Sequence, residues 1–380
     1  MKALFVAHTA APSGAELAAV RLACALWDLP ADDAEVVPAV VFTESGPMVA
    51  AARARGIETA VLPGAFDSRA MTIEGRSLRS LAAGCVGLAR LGWALGAHAR
   101  GNADMLIAES TKALLMGAVA APRARIPLIW HVHDRIDADY FGRPLAAAIR
   151  LLGRAVASGY LANSRATLST LLTWRIPALV AYPGIEPQPR QAQPRQAQRA
   201  PEHTVVTMVG RLTPWKGQHV LLRALAALPT RPAAVYLVGG AHFGEESYRD
   251  ELLALAAEFD LPVTFTGHVD DPRPYLLRAD IAVHCSTLPE PFGQVVVEAM
   301  AAGCAVIAAR PGGPTEILDP EVHGVLVDAD NRDQLATALT RLIGDPDLRT
   351  RLAEAGRIRA SRFEIACTAR EVAEFLSGFH

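Results

Sequence analysis

Two stretches in the second half of the chain carry side chains whose types and spacing suit an anionic, hydroxyl-rich ligand. In Gly210-Arg-Leu-Thr-Pro-Trp-Lys-Gly217, Arg211 and Lys216 follow a predicted strand over residues 204–209. Thr213 is placed to cap the next helix and Pro214 to occupy its first turn. Two cations beside the N–H groups of a helix start suit a diphosphate, because the helix end and both charges attract the same anion. The competing reading is a pair of solvated surface cations. Against it stand the strand-end location and the rarity of lysine: Lys2, Lys112 and Lys216 face 34 arginines. That bias points to a GC-rich, bacterial genome.

The second stretch is Pro289-Glu-Pro-Phe-Gly-Gln-Val-Val-Val-Glu298, just after a predicted strand over 281–284. Glu290 falls in a loop and Glu298 early in the helix that follows. Helical side chains lean toward the amino terminus, so Glu298 can project toward the pocket reached by the backbone N–H groups of Phe292, Gly293 and Gln294. A carboxylate there can accept both hydrogen bonds of a ribose cis-diol. Glu290 could bond the hydroxyls of a sugar ring while the N–H groups hold phosphate or sugar oxygens. Taken singly, Glu290 reads as a helix-end charge and Glu298 as a helix-surface residue.

Positioning these groups takes a scaffold of parallel strands. Short apolar runs at 2–7, 36–42, 105–108 and 128–131 alternate with helix-like segments, and the rhythm resumes at 204–209, 234–238, 263–266, 281–284, 305–308 and 324–327. Such alternation predicts doubly wound α/β domains, with ligands beyond the carboxyl ends of the strands. Between the two series lies 187–203, where Pro-Arg-Gln-Ala-Gln occurs twice without an apolar face, a linker or exposed loop.

Composition narrows the class. With 380 residues, 51% hydrophobic, 20% charged and a net charge of −2, the chain can fill two cores and lacks the basic excess of a nucleic-acid binder. Five scattered cysteines, Cys24, Cys85, Cys285, Cys304 and Cys367, form no C-x-x-C pair and suit a reducing cytoplasm. The apolar run after Lys2 stops at His8 and Thr9, too early for a signal peptide. The apolar segment 81–99 contains Arg90 and several glycines, and reads as a buried helix rather than a membrane span.

Taken together, these motifs resemble glycosyltransferase family 4, the retaining enzymes of the GT-B fold. The likeness covers nearly the whole chain and rests on Ser13-Gly-Ala-Glu16, Gly210-Arg-Leu...Lys216-Gly217, Glu290–Glu298 and Pro311-Gly-Gly-Pro-Thr-Glu316. It implies two Rossmann-like domains with a cleft between them: 1–186 for the acceptor, then the 187–203 linker, 204–362 for the nucleotide-sugar, and a helix over 363–380 crossing back to the first domain. It implies Arg211 and Lys216 on the diphosphate, Glu298 on the ribose and Glu290 nearest the donor sugar. The family's glycine-rich turn usually has two adjacent glycines where this chain has Ser13-Gly14, which leaves Gly14 for the donor. Of the two histidines ending Pro127-Leu-Ile-Trp-His131-Val-His133-Asp134, His133 matches the family's active-site histidine best, although a strand-end histidine is otherwise a structural hydrogen-bonder.

The resemblance implies transfer with retention, normally giving an α product, from a UDP-, GDP- or dTDP-sugar to a hydroxyl acceptor. Neither a cofactor nor a metal is expected, since fixed cations and a helix start can stabilise the departing diphosphate. The departing phosphate oxygen can take the acceptor's proton, so Glu290 is expected to position rather than act as a nucleophile, unlike the carboxylates of retaining glycosidases. Closure of the two domains is expected on donor binding. The D-x-D pairs Asp137/Asp139 and Asp328/Asp330 and the turn Gly239–Gly244 are read as loop features. A sugar-nucleotide epimerase of the same fold, or an inactive sugar-nucleotide binder, are the alternatives; a phosphorylase needing pyridoxal phosphate fits less well. Acceptor contacts are expected from 64–75 and the region after Asp134. Peripheral membrane contact through 81–99 is expected only if the acceptor is a lipid.

Overall fold

A computed structural model describes residues 1–30, 36–62, 78–187, 199–241 and 244–379. The expected acceptor loop 64–75 and both copies of Pro-Arg-Gln-Ala-Gln lie outside these residues. The chain divides into two compact units, Met1–Gly184 with Ile365–His380, and Ile185–Glu364.

The first unit holds seven strands: β1 Lys2–Ala7, β2 Val37–Phe42, β3 Glu58–Val61, β4 Met105–Ala108, β5 Leu128–Val132, β6 Gly159–Ala162 and β7 Ala178–Val180. They pair in parallel in the order β3-β2-β1-β4-β5-β6-β7. Successive strand residues point to opposite faces, so an all-parallel strand feeds two cores at once. In β1, Leu4 and Val6 enter the core beneath helices Leu78–Ala99, Thr111–Ala124 and Arg143–Val156. Ala3, Phe5 and Ala7 enter the core beneath Gly14–Trp27, Pro47–Ala54 and Ile365–Ser377.

The second unit holds β8 Val205–Val209, β9 Ala234–Val238, β10 Val263–Gly267, β11 Ile281–His284, β12 Ala305–Arg310 and β13 Val325–Asp328, parallel in the order β10-β9-β8-β11-β12-β13. Each unit is thus a doubly wound parallel sheet, as expected from the alternation of runs. Strand order reverses between β1 and β4 in one unit and between β8 and β11 in the other, the switch points where this topology opens a crevice.

The segment 81–99 is spent on the core. Leu88, Leu91, Leu95 and Ala99 are buried, and the Arg123 guanidinium covers the Trp93 ring at 3.5 Å. Among the described residues no helix is long and apolar enough to cross a membrane.

One expectation about local structure changes. The residues after Thr213 form a short 3-10 turn, Pro214–Lys216, and Thr213 makes no side-chain cap there. The α-helix begins only at Gln218. Gly217 separates the two with φ of +80°, a conformation that ends the turn and that L side chains rarely adopt. A Cβ at Gly217 would also strike the Cys285 carbonyl oxygen, so this glycine lets the loop after β8 lie directly against the end of β11.

Candidate active site

In the second unit the switch point gathers Lys216 from the loop after β8, His284 from the end of β11, and Ser286 and Glu290 from the loop beyond it. Lys216 Nζ donates to Glu290 Oε1 at 2.9 Å and Oε2 at 2.7 Å. Ser286 Oγ donates to Oε2 at 2.7 Å, and His284 Nε2 lies 3.0 Å from the same oxygen. The Glu290 loop is held by its backbone: Gly313 N donates to the Glu290 carbonyl at 2.9 Å, and a Cβ on neighbouring Gly312 would run into that carbonyl. Glu290 is 9% exposed. Burial alone would raise its carboxyl pKa, but the Lys216 charge and the His284 hydrogen bond hold it well below the usual range. Cys285, alongside, has its thiol pushed up to about 12 by burial and is a packing residue.

Each of the two expected phosphate cations has a carboxylate partner. Lys216 turns onto Glu290, while Arg211 Nε points toward Glu245 Oε2 at 3.8 Å. Phe292 is buried against Phe363 with ring centroids 5.9 Å apart, and Gly293, at φ of +96°, precedes the helix Gln294–Ala301. Glu298 sits one turn into that helix and accepts from Gln294 Nε2 at 3.0 Å.

In the first unit a second cluster stands at the carboxyl ends of β4 and β5. Glu109, directly after β4, takes both histidines: Oε2 is 2.7 Å from His133 Nε2 and 3.0 Å from His131 Nδ1. All three are buried, and the two rings lie 4.1 Å apart. Asn163 Nδ2 donates to the His133 carbonyl at 2.6 Å and fixes its backbone. Burial pulls down the pKa of both imidazoles. In His133 the Glu109 hydrogen bond and charge reverse this, so its pKa is raised, whereas that of His131 remains lowered. Against the effect of burial, the two histidines bring the Glu109 carboxyl down to about 2. The cluster is thus a buried carboxylate with one imidazole that favours its proton and one that does not.

Toward the end of β1, Glu16 accepts from Ser13 Oγ and lies 3.7 Å from His8 Nδ1. His8 is held down to about pKa 4, chiefly by burial and then by Lys112. Gly14 opens the helix Gly14–Trp27, and a Cβ built there would meet nothing within 4 Å.

One histidine atom from each ring and one Glu109 oxygen lie within 4.8 Å of one another, a donor set that zinc also uses. Here those atoms are occupied by the hydrogen bonds among the three side chains. The D-x-D acids have local duties. Asp137 caps Ala138–Phe141 and pairs with Arg135, and Asp328 accepts from Arg310 and Gln334.

Glu109, His284 and Ser286 were not singled out from the sequence. Their common signal was a polar residue directly ending or following a buried apolar strand.

Comparison with known proteins places the chain in a family and a fold. The family model described as "Glycosyl transferases group 1" matches residues 189–359. The D-inositol 3-phosphate glycosyltransferase of Thermobispora bispora is 32% identical over 287 residues, 68% of this chain and 67% of that protein. The lipopolysaccharide core biosynthesis glycosyltransferase LpsE of Rhizobium meliloti is 38% identical over 154 residues, 40% of this chain and 43% of LpsE. The chain thus spans less than half the length of that relative. The crystal structure of HepE from Anabaena in complex with UDP-glucose superposes with a TM-score of 0.81 at 29% identity, covering 100% of both chains. Sucrose-phosphate synthase from Thermosynechococcus elongatus shares the fold at a TM-score of 0.75 and 20% identity. With two Rossmann-like parallel-sheet units of seven and six strands, the chain has the GT-B fold. On this sequence and structural likeness, the chain belongs to the glycosyl transferases group 1 family.

Proposed function

We propose that the chain is a retaining glycosyltransferase of family 4 that takes the sugar of a UDP-sugar to a hydroxyl acceptor without a metal ion. The observation that carries this is the Lys216–Glu290 contact at the switch point of the second sheet. The full-length likeness to HepE, crystallised with UDP-glucose, supports the choice of nucleotide.

In this reading Lys216 and Arg211 meet the diphosphate, the helix start after Gly293 adds its dipole, and Glu298 takes the ribose hydroxyls. Phe292 and Gln294 complete the cradle through their backbone. Glu290 does two things with one charge: it fixes the Lys216 ammonium in place and offers carboxylate oxygens to the sugar hydroxyls. A lysine held this way is preorganised to stabilise the departing diphosphate. Glu290 is committed to three donors, which suits a positioning role rather than attack on the sugar. As the anomeric C–O bond to the diphosphate breaks, the acceptor oxygen bonds to the anomeric carbon from that same face and passes its proton to the freed diphosphate oxygen, so the product keeps the donor's anomeric configuration. In the first unit, Gly14 and His133 are assigned to the donor, His133 as a hydrogen-bonding partner of the sugar.

The test is thermal shift with UDP, GDP, dTDP and ADP and their sugars in the presence of EDTA, because a saturating ligand raises stability by RT ln(1 + [L]/Kd). UDP and one UDP-sugar should raise the melting temperature, and a strong nuclear Overhauser pattern of an α-linked product should follow on adding acceptor. No shift with any nucleotide would overturn the proposal, and an epimerised donor formed without acceptor would reassign the chain to epimerase chemistry.

A further inference from the structure

The first unit also carries a surface that the sugar chemistry does not use. Between Tyr140 and Ile185 the sequence contains no Asp or Glu, while Arg143, Arg150, Arg154, Arg165 and Arg175 fall within it. The helix Arg143–Val156 buries Ala146, Ile149 and Gly153. Its opposite face presents Ala147, Ala148, Leu151 and Ala155, with Leu151 62% exposed. Arg154 follows Leu151 by three positions and so lies beside it on the helix surface. From there its guanidinium reaches to 5.8 Å from the Trp174 ring, and Arg175 flanks the same ring at 4.3 Å. Trp174 is 69% exposed and its neighbour Leu172 is 41% exposed. Arg150, by contrast, turns inward to the Ile136 carbonyl at 2.7 Å and belongs to the fold.

We propose that Leu151, Leu172, Trp174, Arg154 and Arg175 form a docking surface for the anionic face of a lipid bilayer. An exposed indole between two guanidinium groups matches the layered chemistry of that boundary. The ring seats at the headgroup level, the leucines reach the acyl boundary, and the arginines meet lipid phosphates. This stretch contributes arginines and no acid to the surface, a charge complementary to an anionic leaflet.

The topology leaves the chemistry clear of this surface. Leu151 and Arg154 lie in the part of their helix that leads to the start of β6, and Trp174 precedes the start of β7. The surface therefore lies toward the amino ends of these strands, while Glu109 and His133 stand at carboxyl ends. A membrane seated here covers none of the residues of the Glu109 cluster.

Sedimentation of the full chain with vesicles tests this. Phosphatidylcholine vesicles containing phosphatidylglycerol should pull down the protein, and vesicles of phosphatidylcholine alone should not. The double variant Arg154→Gln/Arg175→Gln should bind the anionic vesicles at least about tenfold more weakly. Leu151→Ser/Trp174→Ser should lose binding that high salt does not restore. All four side chains are at the surface, and unchanged thermal melts will show that the variants fold. Equal binding to both vesicle types, absence of binding, or wild-type binding by both variants would each overturn the proposal. So would a dimer in light scattering that the Leu151/Trp174 variant dissolves, which would assign the face to a second copy of the chain.

Discussion

The two sheets each bring a buried carboxylate to the ends of their central strands, and the partners chosen for it differ. Glu290 is held by an ammonium group at 2.7 Å together with an imidazole at 3.0 Å, whereas Glu109 is shared between two imidazoles. Imidazoles titrate within the physiological range, so the Glu109 group, with no ammonium among these partners, is the more open to pH. The same topological position thus carries a carboxylate–ammonium pair in one unit and a carboxylate between two imidazoles in the other.

The comparison breaks most readily at Glu290. Glu290→Ala leaves Lys216 charged and largely buried, which should cost about 3 kcal/mol of stability. Turnover should fall by about a hundredfold or more, because the stabilising ammonium loses its place. Denaturant unfolding and a donor-turnover assay check both. A variant with wild-type turnover would remove Glu290 from the site.

Glu109→Gln keeps the shape of the first cluster and removes its charge. His133 then loses the partner that raises its pKa, and burial should pull its titration downward. Where activity needs protonated His133, the alkaline limb of the rate profile should move toward lower pH. A profile that drops in height without moving would make Glu109 a packing group only.

Stability against pH separates the clusters more gently. Both carboxyl pKa values are depressed on folding, so their contributions are present above the unfolded carboxyl value and are lost as pH falls through the folded values, near about 2 for Glu109. The raised pKa of His133 has the opposite sign. Its contribution is complete below the ordinary imidazole value and is lost as pH rises through the raised one. Melting temperature should therefore decline on the alkaline side in the wild type and stay flatter in Glu109→Gln.

The smallest effect is expected at Gly14. Its Cβ has open space and no positive φ to satisfy, so Gly14→Ala should change stability by less than about 0.5 kcal/mol. A rise in the donor KM alone would then report ligand approaching this turn. No change in KM would remove Gly14 from donor binding.

Much of this was legible in the sequence because parallel strands announce themselves. Runs such as Met105–Ala108 are apolar throughout, since both faces of the sheet are covered, and the polar residues that follow them fall where ligands bind in this topology. Lys216 and Glu290 could be named for the same reason. Their mutual contact could not, because 74 positions separate them and only the β8–β11 adjacency brings them together. Glu109 was missed because a single acid after a short strand looks like any surface charge until β5 places two histidines beside it. The delayed helix start at Gln218 depended on backbone geometry at Gly217, which residue type alone permits without requiring.

The division of the chain carries a consequence for its synthesis. The second unit is one uninterrupted stretch, Ile185–Glu364, while the first is finished by Ile365–His380, whose Ala369, Val372, Ala373 and Leu376 fill the core beneath β1. On the ribosome the later-coded unit can complete its core first. The earlier-coded unit waits with an apolar face uncovered until Ile365–His380 emerges. Loss of Ile365–His380 would thus damage the unit built mainly from the start of the sequence, leaving the Glu290 unit intact and the Glu109 unit exposed to aggregation.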